Sequence, residues 1–365
     1  MTKMITRKRF LKQAGSALGI AAAGFPSIIL PRKRDKLGVA LVGLGGYATG
    51  RLAPGLQLTG HCELRGIVTG TPAKIPRWQQ EYGIPDKNVY NYETLPDVAN
   101  NDDIDILYIV TPPAIHARDA IRAAEAGKHV WCEKPMAMNE EECQAIIDAA
   151  DKNGVQLTVG YRMQHEPNTQ TIIKYGLDNT YGEITGIQAA AGYNGAHPDP
   201  DNWRRIGRMG GGALYDMGVY SINAARYSSG LDPVAVSGRQ WSERTDMYSD
   251  VDEFTTFELE FPGGLIAQGE TSFGKSINYL NVECSGGWYR LEPMQSYSGV
   301  QGKTSDGTRL PPDPNHQQAR QMDADALAIK ENSRPIVPGT DGLTDIQIVN
   351  AIMESSKKDG ERIDL

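Results

Sequence analysis

Through the first half of the chain, short continuous apolar runs alternate with longer stretches of helical periodicity. Leu37 to Gly43, Glu63 to Val68, Ile104 to Val110, Val130 to Cys132 and Val155 to Gly160 read as strands. Runs that are apolar throughout suit strands buried on both faces, as in a parallel sheet. A helix-patterned run, Ala114 to Gly127, leads into Val130. Asn139 is the expected cap of a helix over Glu140 to Asn153, with Glu141 and Glu142 in the first turn, where the helix dipole favours acids. This alternation predicts an α/β domain of Rossmann type, a doubly wound parallel sheet.

After Gly160 the pattern changes. Ile184 to Ala191 reads as a strand. Phe257, Leu259 and Phe261 share one face of another, Pro262-Gly263-Gly264 makes a turn, and Leu265 to Thr271 returns. Tyr279 to Cys284 and Trp288 to Leu291 extend the series. The expectation is an appended α+β domain with a large open, mainly antiparallel sheet.

Charge and cysteine usage narrow the class. The net charge is −8 over 365 residues. Residues 1–30 carry Lys3, Arg7, Lys8, Arg9 and Lys12 and no acid, which leaves 32 basic against 45 acidic residues in the body. An acidic body argues against nucleic acid and anionic membrane as partners. Cys62, Cys132, Cys143 and Cys284 are scattered without C-x-x-C spacing, and the histidines form no metal-type pair, so no metal is expected.

The first residues do not read as part of the fold. Thr6-Arg7-Lys8-Arg9-Phe10-Leu11-Lys12 precedes a mild apolar run, Ser16 to Leu30. This resembles a twin-arginine export signal, with Lys8 in place of the second arginine. Residues 1–35 are therefore assigned as an export signal or N-terminal arm, 36–158 as the dinucleotide-binding domain and 159–365 as the substrate-binding and oligomerisation domain. The expected location is periplasmic or exported, with no membrane association beyond export.

Candidate chemistry begins at Gly43-Leu44-Gly45-Gly46-Tyr47-Ala48, a G-x-G-x-x-A between a strand and a helix. Gly43 allows the tight turn and Gly45 a close approach to pyrophosphate, and the small Ala48 lets helix pack on strand. The second strand is followed by Thr69-Gly70-Thr71, with Lys74 and Arg77 behind, where an acid would bind a free ribose hydroxyl. Small hydroxyls and positive charge favour NADP, with NAD possible. Thr111-Pro112-Pro113 ends the next strand, and His116 is a candidate cofactor contact. Glu133-Lys134-Pro135 lies at the carboxyl end of a strand, where ligands of open α/β sheets bind. Tyr161-Arg162 follows another strand, and Asn202-Trp203-Arg204-Arg205 precedes Gly210-Gly211-Gly212 and a helical stretch from Leu214 to Tyr227. In that stretch Asp216 and Tyr220 are four apart, on one helix face. A carboxylate there could orient the tyrosine for proton transfer.

Taken in order, these motifs resemble the glucose–fructose oxidoreductase and inositol dehydrogenase family (Gfo/Idh/MocA) over residues 36 to 365. Asp216-x-x-x-Tyr220, where many relatives have Asp-x-x-x-His, resembles the glucose–fructose oxidoreductase branch. The resemblance implies that Lys134 contacts both substrate and nicotinamide and polarises the reacting oxygen, that Tyr220 is the acid–base, and that Asp216 orients it and touches substrate. It implies a sugar site lined by Tyr161, Arg162, Trp203 and Arg204, with Glu133 and Arg162 also near the cofactor, and allows a cis Lys134-Pro135 bond. It also implies a homodimer or homotetramer. With export, the expected activity is hydride transfer between an aldose and a second sugar or carbonyl through tightly bound NADP(H). The alternatives are an ordinary NAD(P)-dependent sugar or polyol dehydrogenase and an NAD-dependent glycosidase of the same superfamily.

Overall fold

A computed structural model describes residues 35–365, so the export-signal reading lies outside the described residues. Helices α1 (Ala53–Leu56), α2 (Ile75–Tyr82), α3 (His116–Glu125) and α4 (Glu140–Asn153) alternate with strands β1 (Leu37–Val42), β2 (Cys62–Val68), β3 (Val89–Tyr90), β4 (Ile106–Ile109), β5 (His129–Cys132) and β6 (Leu157–Val159). The six strands are parallel in the order β3-β2-β1-β4-β5-β6. Val39 to Val42 and Ile106 to Ile109 are wholly buried, as their unbroken apolar runs require. The Asn139 side chain accepts from the Glu142 N–H and caps α4 over Glu140–Asn153, as its sequence predicts. The helix expected from Ala114 is delayed: Pro112 and Pro113 lead into a 3₁₀ turn at Pro113–Ile115, and α3 starts at His116.

The second sheet has nine strands. β7 (Ile184–Gly192) and β10 (Ile266–Ser272) run parallel at its centre. The other pairs, made with β8 (Ala235–Trp241), β9 (Phe254–Glu260), β11 (Ile277–Cys284), β12 (Gly287–Leu291), β13 (Gly302–Thr304), β14 (Arg309–Leu310) and β15 (Ile363–Asp364), are antiparallel. Phe257, Leu259 and Phe261 all point into the core, as their alternation predicts. Helix α5 (Pro167–Leu177) packs on α6 (Val219–Ser229), which lies on β7, and α8 (Gly339–Lys357) lies on β8. The opposite face presents Gln188, Arg239, Glu258, Gln268 and Glu270.

Helix α7 (Gln317–Glu331) returns to the first sheet, where Met322 and Ala326 join the core of Leu41, Tyr108 and Trp131. Tyr108, Trp131 and Thr158 stand in register on β4, β5 and β6. Behind them Asp325 and His165 are buried, with Asp325 Oδ1 and His165 Nε2 4.0 Å apart. Burial pushes the Asp325 carboxyl up to about 8. A carboxyl held neutral in the fold but ionised in the unfolded chain favours folding at low pH, and that contribution fades as pH rises through the folded value. Asp325→Asn should therefore gain stability over the parent with rising pH, by on the order of 1 kcal/mol per unit between the ordinary carboxylate range and the raised one. Urea denaturation across that range checks this; parallel curves for the two proteins would contradict it.

Candidate active site

The carboxyl ends of the parallel strands and the near edge of the second sheet enclose one cavity of about 1300 Å³. Gly43, at the end of β1, has φ +97°, and a Cβ there would sit 3.0 Å from Thr111 Cγ2 and the Val110 carbonyl oxygen. Glycine is thus required by both conformation and space. At Gly45, Gly46 and Gly50 a Cβ would meet nothing within 4 Å, so this backbone is open to a ligand. Ala48 does not line the cavity; it is buried in the turn that follows the loop, the packing role its small side chain suits. The Lys74 ammonium donates to the Leu44 carbonyl oxygen at 2.8 Å, at the glycine loop itself. Thr69, Gly70 and Thr71 line the same end. Arg77 instead pairs with Glu81 on the outside of its helix. Open glycine backbone, hydroxyls and a lysine at one end fit a dinucleotide with its phosphates at the loop.

At the other end, Lys134 extends from the loop after β5, with the Lys134-Pro135 bond cis. Its ammonium donates to the Asp216 backbone carbonyl at 2.7 Å and lies 3.6 Å from the Asp216 carboxylate. The Arg204 Nε–H donates to the other Asp216 oxygen at 2.7 Å. Burial alone would raise the Asp216 carboxyl, but Arg204 and Lys134 outweigh it and hold the group below its ordinary range. The site therefore keeps a buried anion between two cations.

The Tyr220 ring lies 4.5 Å from the Lys134 ammonium and 5.5 Å from the Arg162 guanidinium. The expected pairing of Asp216 with Tyr220 is corrected, because the carboxylate is committed to Arg204 and Lys134. The cause is local. Residues Leu214–Gly218 form a wide π-type turn before α6 begins at Val219. The turn is capped from far along the chain, by Asp252, whose carboxylate accepts from the Leu214 N–H at 2.9 Å. No pattern local to Gly210–Tyr227 announces that cap.

His116 lines the cavity, but its ring faces two carbonyls: Nε2 lies 2.7 Å from the Thr111 oxygen and Nδ1 2.9 Å from the Pro135 oxygen. The ring sits between the Thr111-Pro112 wall and the cis-proline loop, and as a neutral imidazole its single N–H donates to one of these two carbonyls. Burial lowers its affinity for a proton. Glu133 accepts from the Tyr108 hydroxyl at 2.7 Å, and burial pushes its carboxyl up to about 7 against that bond and the charges of Lys134 and Arg162. Tyr161 does not line the cavity: it is 1% exposed and interacts with the buried Asp345 on α8, so its expected place in the sugar site is corrected. Arg162, its neighbour, does face the cavity. β6 ends at Val159, and the chain turns at Tyr161 into a 3₁₀ helix at Arg162–His165, which separates the two side chains.

Trp203 and Arg204 line the cavity as expected. The sequence reading missed Tyr193, at the end of β7, whose hydroxyl lies 2.8 Å from His197 Nε2. It also missed Arg51, Tyr92, Asn278, Gln295, Ser296 and Tyr297. Most come from the second sheet and its connections, where spacing carries no motif. A tyrosine directly after a glycine-ended strand, as in Gly192-Tyr193, was the one available signal.

With this geometry in place, comparison with known proteins is decisive. Residues 37–161 match a family described as oxidoreductase family, NAD-binding Rossmann fold, and residues 169–290 match the GFO/IDH/MocA C-terminal domain. The chain belongs to the Gfo/Idh/MocA family. It is an oxidoreductase that works with a nicotinamide dinucleotide. An aldose-aldose oxidoreductase from Caulobacter crescentus, solved with glycerol, is 36% identical, with a TM-score of 0.86 over 90% of this chain and 100% of that one. A D-xylose 1-dehydrogenase (NADP⁺) from Haloarcula marismortui is 29% identical over 87% of this chain and 90% of its own. A 3-ketoreductase from Actinomadura kijaniata, solved as a mutant with TDP-benzene and NADP, is 25% identical with a TM-score of 0.76, over 88% of this chain and 98% of its own.

Tyr220→Phe removes the hydroxyl expected to act as acid–base and keeps the ring. The expected result is a loss of roughly 10²- to 10⁴-fold in kcat with dinucleotide affinity unchanged. Steady-state kinetics alongside fluorescence titration with NADPH separates the two; a variant within a few-fold of the parent would remove Tyr220 from the chemistry.

Proposed function

We propose that the protein is a sugar oxidoreductase that holds NADP(H) and passes hydride from C1 of an aldose to a second sugar or other carbonyl compound. The observation that carries this reading is the buried Asp216 held between Lys134 and Arg204 beside Tyr220, in the same cavity as the glycine loop. The similarity to an aldose-aldose oxidoreductase over nearly the whole chain supports it. Trp203 and Tyr193 offer flat apolar faces for the C–H side of a sugar ring, and Asp216, Arg204, Asn278 and Gln295 offer partners for its hydroxyls.

Bound NADP supplies the two-electron acceptor for the hydride that leaves C1. Tyr220 takes the proton of the C1 hydroxyl as the C1–H bond breaks and the carbonyl of a lactone forms. The Lys134 ammonium, fixed by the Asp216 carbonyl, stabilises negative charge on that oxygen. Arg204 keeps Asp216 anionic, and the anion in turn keeps Lys134 charged: burial would lower the lysine, but Tyr220, Asp216 and Glu133 outweigh it and raise it. In the return half-reaction the acceptor carbonyl carbon gains the hydride and Tyr220 returns the proton to its oxygen. Export through the twin-arginine route, as Arg7 to Lys12 suggest, would carry the folded protein with its cofactor already in place. Assembly as a dimer or tetramer through the open face of the nine-stranded sheet belongs to the same proposal.

Incubating the purified protein with an aldose and no added cofactor should produce reduced-nicotinamide absorbance on the protein, which a second carbonyl sugar then discharges. A protein that purifies free of nicotinamide and turns over only with added NADP⁺ would instead be an ordinary dehydrogenase, the activity named for the Haloarcula relative. Lys74→Ala should cut the preference for NADP over NAD roughly tenfold, since one charge-assisted contact at the loop is lost. Paired titrations with the two cofactors check this, and an unchanged ratio would place the 2′-phosphate elsewhere.

A further inference from the structure

The connection between β12 and β13 belongs to the second sheet, yet Gln295, Ser296 and Tyr297 wall the cavity together with the glycine loop. The base of this segment is pinned. Arg162 donates to the Ser296 carbonyl oxygen at 2.8 Å and to Gln295 Oε1 at 3.0 Å, and the Gln295 N–H donates to Asn278 Oδ1 at 2.9 Å. Its tip reaches the first domain. The Tyr297 ring has the Arg51 guanidinium 4.3 Å from its centroid and the Arg162 guanidinium at 4.7 Å, and the Tyr47 ring is tilted against it at 5.9 Å. Tyr47 and Arg51 belong to the turn that follows Gly45-Gly46. Tyr297 is 42% exposed, so hydrophobic burial is not what holds the ring there. Two cations against its π-system are the specific attraction.

We propose that Arg51 and Tyr297 form a clasp that slows the escape of the dinucleotide. The inference rests on the reading of the cavity as an NADP(H) site and supplies what a retained cofactor needs. The contact ties the helical turn after the glycine loop to a loop of the second domain along one wall of the cavity. Separating the two at that place requires breaking it. Arg51 and Tyr297 are retaining residues, and nothing in the chemistry at Lys134 and Tyr220 is asked of them.

The test is a stopped-flow chase of protein-bound NADPH fluorescence with excess NADP⁺. Tyr297→Ala and Arg51→Met should each speed dissociation by about three- to thirtyfold, the range a partly exposed cation–π contact spans. Tyr297→Phe keeps the ring and should stay near the parent rate. The double variant Arg51→Met/Tyr297→Ala should dissociate no faster than the faster single variant, because both changes break one contact. Additive effects would mean that Arg51 and Tyr297 act on the cofactor independently, which overturns the clasp. So would a parent-like rate in Tyr297→Ala, or a Tyr297→Phe as fast as Tyr297→Ala. A parent protein that binds no NADPH overturns the cofactor reading beneath it, a result distinct from any of these.

Discussion

The buried Asp216 carboxylate, held between Lys134 and Arg204, is the constraint on which the site depends. Lys134 belongs to the dinucleotide sheet and Asp216 to the turn before α6 of the second domain, so the cluster joins the two halves at the reacting end of the cavity. An anion between two cations keeps its charge in a buried setting where a lone carboxylate would take up a proton, as Glu133 tends to do nearby. Losing Asp216, the one anion, would leave Lys134 and Arg204 facing each other with no charge between them. The cluster therefore holds the lysine charged and aimed, and it holds the two sheets in register around the reacting atoms.

The rest of the site is arranged to protect that geometry. The cis-proline loop that carries Lys134 lies against the His116 ring, which sits between the Pro135 and Thr111 carbonyls. The turn that carries Asp216 is fixed by Asp252, which caps it from the strand-bearing half of the second domain. Arg162 spans the cavity floor, facing Tyr220 and Tyr297 while bonding Gln317, Gln295 and the Ser296 backbone. Asp252, Gln317 and the Gln295–Ser296 segment reach the site from far away in sequence and lock the loops that carry it.

That distribution explains what could be read from the chain alone. The parallel sheet was legible because buried strands are apolar throughout and because Gly43, Gly45 and Ala48 meet steric demands of a dinucleotide turn. Lys134 and Arg204 were legible as charged residues at strand ends and before a glycine run. Asp216 was legible as a residue and misplaced in its partner, because a π-type turn capped by Asp252 has no local signature. Tyr161 was drawn into the site by its neighbour Arg162, although the turn from β6 into the 3₁₀ helix at Arg162 sends the two side chains apart. Tyr297 and Tyr193 were invisible, since their places follow from how the nine-stranded sheet docks on the first domain.

In the function proposed, the cofactor stays in place while two substrates exchange, and Tyr220, Lys134 and one cavity serve both directions. Isotope transfer tests this most directly. An aldose deuterated at C1 is reacted with a second carbonyl sugar in the presence of excess free NADP⁺. A retained cofactor delivers deuterium to the reduced carbon of the acceptor and leaves none in the free cofactor. Deuterium accumulating in free NADPH, with none in the acceptor, would contradict retention.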